Sequence, residues 1–510
     1  MSKSAVNNMR IAKNTLYLYL RMLFVMGISL YTVRAILDIL GVVDYGIYNV
    51  VGGVVTMFAF MNKTLSTSSQ RYFSVALAKD DHADLKRVFS LNLTVFSILG
   101  IIVVVMLETV GLWFVNYKMT IPAERMVAAN VVYQLSILAM VFHIFVIPYM
   151  ALVIAYEKMN IFAIIGVVEA VGKLGIVLLL TIIAFDKLII YGLLVLLLAL
   201  GTSLWYIIYC LKHYPESHFR WYWNKKEALE LLGFSGWHFL GTFTATCRSQ
   251  GINILLNLFF NPAVNAARAV AYQVYSAVFQ LVNNFFTAVK PQIYKSYGSG
   301  QFQDMYKLIN RSTLICTYLL SILVFPLMAN TEMVLGWWLK EVPEYAIIFT
   351  QLVLINGLVD SINLPLTASA LATGKIRKYE ITLCSINLLN IPVSYVAFKL
   401  GAAPYVAMMI SIILACVSVV ARAFILREMI GLPLKSYFSM TMKLLMVTTI
   451  MMLGVNWGLH GRVEGLLDLI LFSCIIVVVL TILYALIIGH SDRQYIFTLM
   501  VSKAKILKRK

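Results

Sequence analysis

Charge is what this sequence has least of. Only 13% of its 510 residues are Asp, Glu, Lys or Arg, against 61% hydrophobic, and the mean hydropathy is +0.86. Soluble domains average about 25% charged residues, so a chain of this length has too little polar surface to meet water on every side. A soluble globular enzyme is excluded. Glycine (28) and proline (11) are sparse as well, which excludes a collagen-like or low-complexity disordered chain. Cysteine is confined to Cys210, Cys247, Cys316, Cys384, Cys416 and Cys474, all in or beside apolar stretches and none in CxxC spacing. Neither a disulfide frame nor a thiolate metal site is expected from that scatter. The sequence lacks a phosphate loop, a zinc motif, a Ser-His-Asp arrangement and a glycine-rich cofactor fingerprint. No cofactor, nucleic-acid partner or direct use of ATP is therefore expected. Residues 1–17 also lack the compact apolar core and small-residue cleavage site of a signal peptide, so the first apolar segment is expected to be retained as a helix.

What is present is a series of long apolar segments. A membrane span needs about 20 such residues, and fourteen segments qualify. They are 14–37, 46–70, 88–114, 125–150, 160–184, 188–211, 234–260, 266–289, 309–331, 345–370, 379–398, 403–425, 441–459 and 466–489. The basic residues test the number. With the N-terminus inside, and residues at the first turn of a span counted with the adjoining connection, alternate connections hold 28 of the 41 Lys and Arg, the opposite connections hold 7, and 6 lie deeper within spans. That asymmetry is the positive-inside pattern, and it places both termini on the cytoplasmic side. It also accounts for the net charge of +18 without a polyanionic partner. The expected fold class is all-α integral membrane, with about 14 transmembrane helices.

Residues 213–233 differ in character. Trp221, Tyr222 and Trp223 form an interfacial aromatic cluster, and Asn224 is placed to cap a short helix carrying Glu227 and Glu230. This reads as an amphipathic cytoplasmic linker between two halves. A shift of 220 residues aligns 41–53 with 261–273, each a short break before a polar helix, and sets Asp84 and Arg87 against Asp304 and Lys307. The expected organisation follows. Residues 1–212 form an N-terminal six-helix lobe and 213–233 the linker. Residues 234–430 form a pseudo-symmetric second lobe, and 431–510 two extra helices with a basic cytoplasmic tail. Parallel repeats of this kind are one architecture of alternating-access transporters.

Polar residues concentrate in the first two spans of each half. Asn14, Arg21 and Thr32 share a face of span 1, and Thr56, Lys63, Thr67 and Gln70 a face of span 2. Thr242, Thr246, Gln250, Asn253 and Asn257 share a face of span 7, and Gln273, Gln280, Asn284 and Thr287 a face of span 8. Four such stripes point to a hydrated central cavity. Arg21, Arg34, Lys63, Lys173, Arg248 and Arg422 are basic residues within spans. A cation at the bilayer centre costs at least about 2.5–3.5 kcal/mol, so it persists only beside water, a partner or an anion. Lys173 lies four residues after Glu169 and Asp38 four after Arg34, spacings that favour local pairs. Arg422 is near enough to the cytoplasmic end to snorkel. Arg21 and Lys63 sit on polar stripes and are the better cavity candidates, whereas Arg248 falls off the Thr246 stripe. Asp360 lies in a polar run with Asn356, Ser361 and Asn363, as a counter-ion, an ion-coupling residue or a packing residue. Glu169 and Lys173 share the first two of these roles. His143 and His238 read as interfacial or packing residues.

Short fragments then give a resemblance. They are Asp44-Tyr45-Gly46-Ile47-Tyr48-Asn49, Glu157-Lys158-Met159-Asn160, Phe234-Ser235-Gly236-Trp237, Asn265-Ala266-Ala267-Arg268 with Ala271-Tyr272-Gln273-Val274, and Pro291-Gln292-Ile293. In this order and spacing the chain resembles the multidrug/oligosaccharidyl-lipid/polysaccharide exporter superfamily, in its bacterial O-antigen and capsule flippase branch. The resemblance implies two six-helix lobes, two extra C-terminal helices and a cationic cavity between lobes. It implies a flippase that carries undecaprenyl-diphosphate-linked oligosaccharide from the cytoplasmic to the periplasmic leaflet of the bacterial inner membrane, alongside polysaccharide polymerase machinery. Related flippases carry basic side chains on their first, second, seventh and eighth helices; by helix, the matching positions are Arg21, Arg34, Lys63, Arg248 and Arg268. Gln70, Gln250, Asn253, Gln280 and Asn284 are expected to bond sugar hydroxyls in the same cavity. Two alternatives stand beside this reading. A cation-coupled drug exporter of the same superfamily calls for acidic cavity residues, and a polymerase or ligase calls for a large outward loop with catalytic groups. Span 7 has no acid and span 1 has only Asp38 at its end, and the outward loops are short.

Overall fold

The computed structural model describes residues 3–56, 59–117, 121–183, 185–260, 262–339, 342–458 and 466–487. Among them every regular element is helical: α1 (Lys3–Thr56), α2 (Ala59–Ala78), α3 (His82–Met106), α4 (Leu112–Tyr117), α5 (Met126–Ala155), α6 (Met159–Leu180), α7 (Lys187–His213), α8 (Lys225–Phe259), α9 (Pro262–Gly298), α10 (Phe302–Ala329), α11 (Thr331–Trp338), α12 (Ala346–Thr373), α13 (Arg377–Leu388), α14 (Asn390–Lys399), α15 (Val406–Ile430), α16 (Leu434–Gly458) and α17 (Leu466–Ile487). These helices overlap all fourteen expected spans. Eight passages are long and apolar enough to cross a membrane by composition alone. The helices α1, α2, α8 and α9 are not among the eight, and they are the four on which the polar stripes were expected.

The first two spans are joined differently from expectation. Helix continues past Gly41 to Thr56, and the turn between the spans is made at that one residue (φ 75°, ψ 168°). A side chain at positive φ costs roughly 1–2 kcal/mol, so glycine is the natural residue there. The basic tail 491–510 lies outside the described residues.

The chain divides into two compact units, one of Lys13–Phe239, the other from Leu240 onward together with residues up to Ala12. In the first, α5 is central and packs against α2, α3, α6 and α7. Phe89 lies between Phe73 and Tyr149, at ring-centroid distances of 5.8 and 5.0 Å. In the second, α12 is central and packs against α9, α10 and α15, while α16 and α17 dock on α10.

In lipid the hydrophobic effect does little to drive one helix onto another, so small residues and interhelical hydrogen bonds carry specificity. The α10 helix shows how. Thr313, Thr317 and Ser321 lie on one face and each bonds back to the carbonyl four residues earlier, at 2.7–2.9 Å. Thr317 then reaches Ser361 of α12 at 3.2 Å, and Ser321 reaches Tyr484 of α17 at 3.1 Å.

The linker corrects an expectation. Residues 213–233 do not form a separate amphipathic helix. Pro215–Ser217 make a single 3-10 turn, residues 218–224 run without helix, and α8 begins at Lys225. Asn224 does act as a cap, but of α8 itself: its Oδ1 accepts from the Lys226 and Glu227 amides at 3.0 and 3.4 Å. The segment is fastened to its unit by the buried Tyr214 ring on Tyr156 and by Tyr222 donating to Glu227, while the rings of residues 219, 221 and 223 stay exposed.

Candidate functional site

In the first unit the polar residues of α1 divide in two. Asn14 and Thr32 are buried ties: Asn14 Nδ2 donates to the Glu157 carbonyl at 2.9 Å, and Thr32 bonds back to the Ile28 carbonyl at 2.7 Å. Glu157 itself occupies a left-handed turn (φ 60°) between α5 and α6, which aims that carbonyl at α1. Arg21, two turns further along, is half-buried. Its guanidinium lies over the Phe162 ring at 4.5 Å, and its buried Nε has no hydrogen-bond partner among the described residues. Gly166 makes this approach possible, because a Cβ there would overlap the guanidinium. Arg21 has no carboxylate within ion-pair distance among the described residues. The nearby acid Glu169 instead bonds Lys173 at 2.8 Å, in the pairing its spacing predicts. Arg21 and His143 act on Glu169 only through longer-range electrostatics. The cluster therefore holds two permanent cations and one carboxylate. Gln70 is buried and donates to Ser66 within α2 at 3.0 Å. The side chains of Arg34 and Lys63 lie outside the described residues.

In the second unit α8 and α9 bring three expected residues together. Arg268 is buried, and its Nη1 donates to Asn253 Oδ1. Asn253 Nδ2 donates in turn to Gln250 Oε1 at 3.0 Å. Gln250 is exposed, so a chain of amides runs from the buried guanidinium to the surface of the unit. Arg268 also lies over the Tyr272 ring at 4.4 Å, reaches Ser249 at 3.4 Å, and leaves Nε buried without a partner. Arg248 is half-buried and donates to Asn387 of α13 at 3.2 Å. Asp360 accepts from Asn356 at 2.8 Å and from Tyr275 at 3.4 Å, with Arg248 and Arg422 acting on it at longer range. Arg422 does not snorkel; its Nε donates to the buried Tyr379 hydroxyl at 2.9 Å. Further along α9, exposed Gln280 donates to buried Asn284 at 3.4 Å, and Asn284 Nδ2 has no partner among the described residues. Arg248 and Arg422 thus share one carboxylate at longer range, Arg268 lies against amides and an aromatic ring, and none of the three forms an ion pair among the described residues.

The amounts decide what this means. Left to hydrocarbon, Arg21, Arg248 and Arg268 would cost about 8–10 kcal/mol together on insertion scales. A cation–π contact returns about 0.5–2 kcal/mol and a hydrogen bond from a charged donor about 1.5–3. The aromatic and amide contacts offset part of that cost and leave the charge itself uncompensated. Within each unit such a guanidinium attracts anions, and guanidinium is the donor best shaped for phosphate oxygens.

Sequence reasoning missed a second constellation in the first unit. Arg125, just before α5, donates to both oxygens of Asp44 (2.8 Å from Nε and 2.5 Å from Nη2) and to Asp186 at 2.6 Å. Asp186 also caps α7, accepting from the Leu188 and Ile189 amides. Arg125 hydrogen bonding, aided by those amides, holds the Asp186 carboxyl below its ordinary range despite partial burial. Asp44 belongs to one of the fragments that carry the resemblance. The other fragments also supply ties, with Glu157 holding Asn14, Ser235 bonding Ser68 at 3.0 Å, and Arg268 bonding Asn253. Pairing over 81 and 61 residues leaves no local spacing by which it could have been read.

The sequence profile of the polysaccharide biosynthesis protein family matches residues 11–296. No curated protein matches the chain. Among solved structures, it resembles a multidrug resistance MATE family transporter of the MOP superfamily in an outward-facing conformation, with TM-score 0.71 and 13% identity over 84% of this chain and 99% of that one. It also resembles a MATE protein in complex with MaD3S (TM-score 0.69, 12% identity) and a MOP superfamily transporter from Pyrococcus furiosus (TM-score 0.67, 13% identity), with the same coverage in both cases. The chain belongs to the polysaccharide biosynthesis protein family and has the all-helical fold of the MATE transporters of the MOP superfamily.

Proposed function

We propose that this transporter is a flippase for a polyprenyl-diphosphate-linked oligosaccharide, undecaprenyl in bacteria. It moves the lipid-linked sugar from the cytoplasmic to the periplasmic leaflet of the inner membrane, with both termini cytoplasmic, and hands it to polysaccharide polymerase machinery. The observation that carries this reading is that Arg21, Arg248 and Arg268 form no ion pair among the described residues. A diphosphate is the part of such a lipid that cannot enter hydrocarbon unaided, and charge-assisted hydrogen bonds from arginine replace its hydration. Arg34 and Lys63 belong to the same set by sequence position. Gln70, Gln250, Asn253, Gln280 and Asn284 are assigned to the sugar hydroxyls, while Asp360 and the Glu169–Lys173 pair act as counter-ions or coupling groups. Alternating access carries the head group across while the polyprenyl tail stays in lipid.

The family description, polysaccharide biosynthesis, supports the substrate class. Multidrug export, named for one fold neighbour, calls for acidic groups to hold cationic drugs, whereas the excess here is basic. The Pyrococcus furiosus relative is described by a reversed polarity of its binding pocket that suggests a different function. The test is a deletion strain assayed for lipid-linked sugar, complemented by wild type, R21E, K63E or R268M at equal membrane levels. Deletion should accumulate lipid-linked oligosaccharide facing the cytoplasm, and the variants should fail to relieve it. An unchanged lipid-linked pool after deletion would overturn the assignment.

A further inference from the structure

The segment between α7 and α8 is a largely non-helical strap whose exposed side is aromatic and basic. It follows α7, which is long and apolar enough to cross a membrane and ends at His213, and runs into α8 at Lys225, so connectivity to α7 keeps it near the membrane surface. Phe219, Trp221 and Trp223 are 48%, 72% and 48% exposed. All three rings are therefore open to the surroundings of the unit. The other side is fastened. Tyr214 is buried and stacks on Tyr156 at 4.1 Å, Tyr222 donates to Glu227 at 2.9 Å, and the Arg220 amide donates to Ser90 Oγ at 3.2 Å. Glu216 is buried against His82. The strap is therefore held to its unit while its rings remain uncovered. Leu229 and Leu232, also exposed, continue the apolar face along the first turns of α8.

The charges around this face are predominantly basic. Lys212, Arg220, Lys225 and Lys226 are all exposed. Of the acids, Glu216 and Glu227 are engaged inside the protein, which leaves exposed Glu230 as the counterweight. We propose that the strap is a binding surface for the anionic phospholipid head groups of the adjoining leaflet. The three rings lie at head-group level and the basic side chains pair with lipid phosphates. Tryptophan prefers that depth because its ring is apolar and its N–H is polar, and clustered Lys and Arg beside a membrane helix favour anionic lipid. This inference is independent of the substrate assigned above.

The experiment uses the full chain in lipid nanodiscs that contain phosphatidylcholine brominated near the head group, with or without phosphatidylglycerol. The protein has 8 tryptophans, so the signal of the strap is the emission lost between wild type and W221F/W223F. That difference emission should be quenched at least about twofold more strongly with phosphatidylglycerol present, consistent with several basic residues near an anionic surface. R220Q/K225Q/K226Q should remove the enhancement. Raising the salt should remove it in wild type, which checks the electrostatic origin without any mutation. No quenching in either lipid would place the strap in water and overturn the proposal. Equal quenching in both, or enhancement that survives high salt, would reduce it to apolar anchoring and overturn head-group recognition.

Discussion

Replacing Arg125 with alanine should destabilise the first unit through charge alone. The side chains of Arg125, Asp44 and Asp186 are 27%, 20% and 33% exposed, and the cation sits between both carboxylates at 2.5 and 2.6 Å. An exposed ion pair contributes at most about 1 kcal/mol, and breaking a fully buried one costs about 3–5. At this intermediate burial the loss should be about 2 kcal/mol, part of it repulsion between two carboxylates left facing each other. For a unit of this size that corresponds to a fall in Tm of roughly 4–8 °C. Thermal unfolding of the full chain in detergent, followed by tryptophan fluorescence, measures it. The triple variant R125A/D44N/D186N should recover most of the loss, because the repelling charges are gone.

The pH dependence has a definite sign. The folded pKa of Asp186 is depressed below its ordinary value of 3.8. Its contribution is therefore fully present above that value and is lost as pH falls through the depressed one. The gap between wild type and R125A should stay constant from neutral pH down to about 5 and close below about 4. Wild-type melting of R125A at neutral pH, or a triple variant as unstable as R125A, would refute the charge-knot account.

Three further outcomes follow from the geometry. Gly41→Ala places a Cβ at φ 75° and should cost about 1 kcal/mol or slightly more, read as a Tm drop of a few degrees. Gly166→Val should displace the Arg21 guanidinium from Phe162 and reduce complementation of a polysaccharide-deficient strain as much as R21Q does, with the double variant no worse than either. Arg268→Met removes a buried cation that has no carboxylate partner among the described residues. Thermal stability should hold or rise, as it does when buried charge is replaced by well-packed apolar side chains, while export in the complementation assay is lost.

Much of the fold was legible because membranes enforce simple rules. Every backbone polar group in lipid must be satisfied within a helix, so runs of apolar residues mark helices with little ambiguity. The Lys and Arg asymmetry adds an expected orientation. The polar helices α1, α2, α8 and α9 were legible for the same reason, since a Lys63 or an Arg248 among apolar neighbours stands out. The i,i+4 pair Glu169–Lys173 was legible because helical geometry alone brings it together. Other features were not. Arg422 reads from position as a snorkelling residue, yet the buried Tyr379 hydroxyl from another helix captures it. The linker reads as an amphipathic helix from its composition, yet it is largely non-helical and fastened by Tyr214 and Tyr222. Asn14 reads as a cavity residue, but a left-handed turn at Glu157 gives it a carbonyl to bind.

The sequence by itself determined that this chain crosses a membrane many times, which helices carry polar groups, and that the intramembrane charge is positive. Those properties follow from local composition and helical periodicity. Only the tertiary structure decided which cations remain without a counter-charge. It brought Arg125 to Asp44 and Asp186 and left Arg21 over Phe162, and it set Arg268 against Asn253 rather than against an acid. Ion pairing depends on distances of a few ångströms between helices far apart in sequence, and no local pattern encodes those distances.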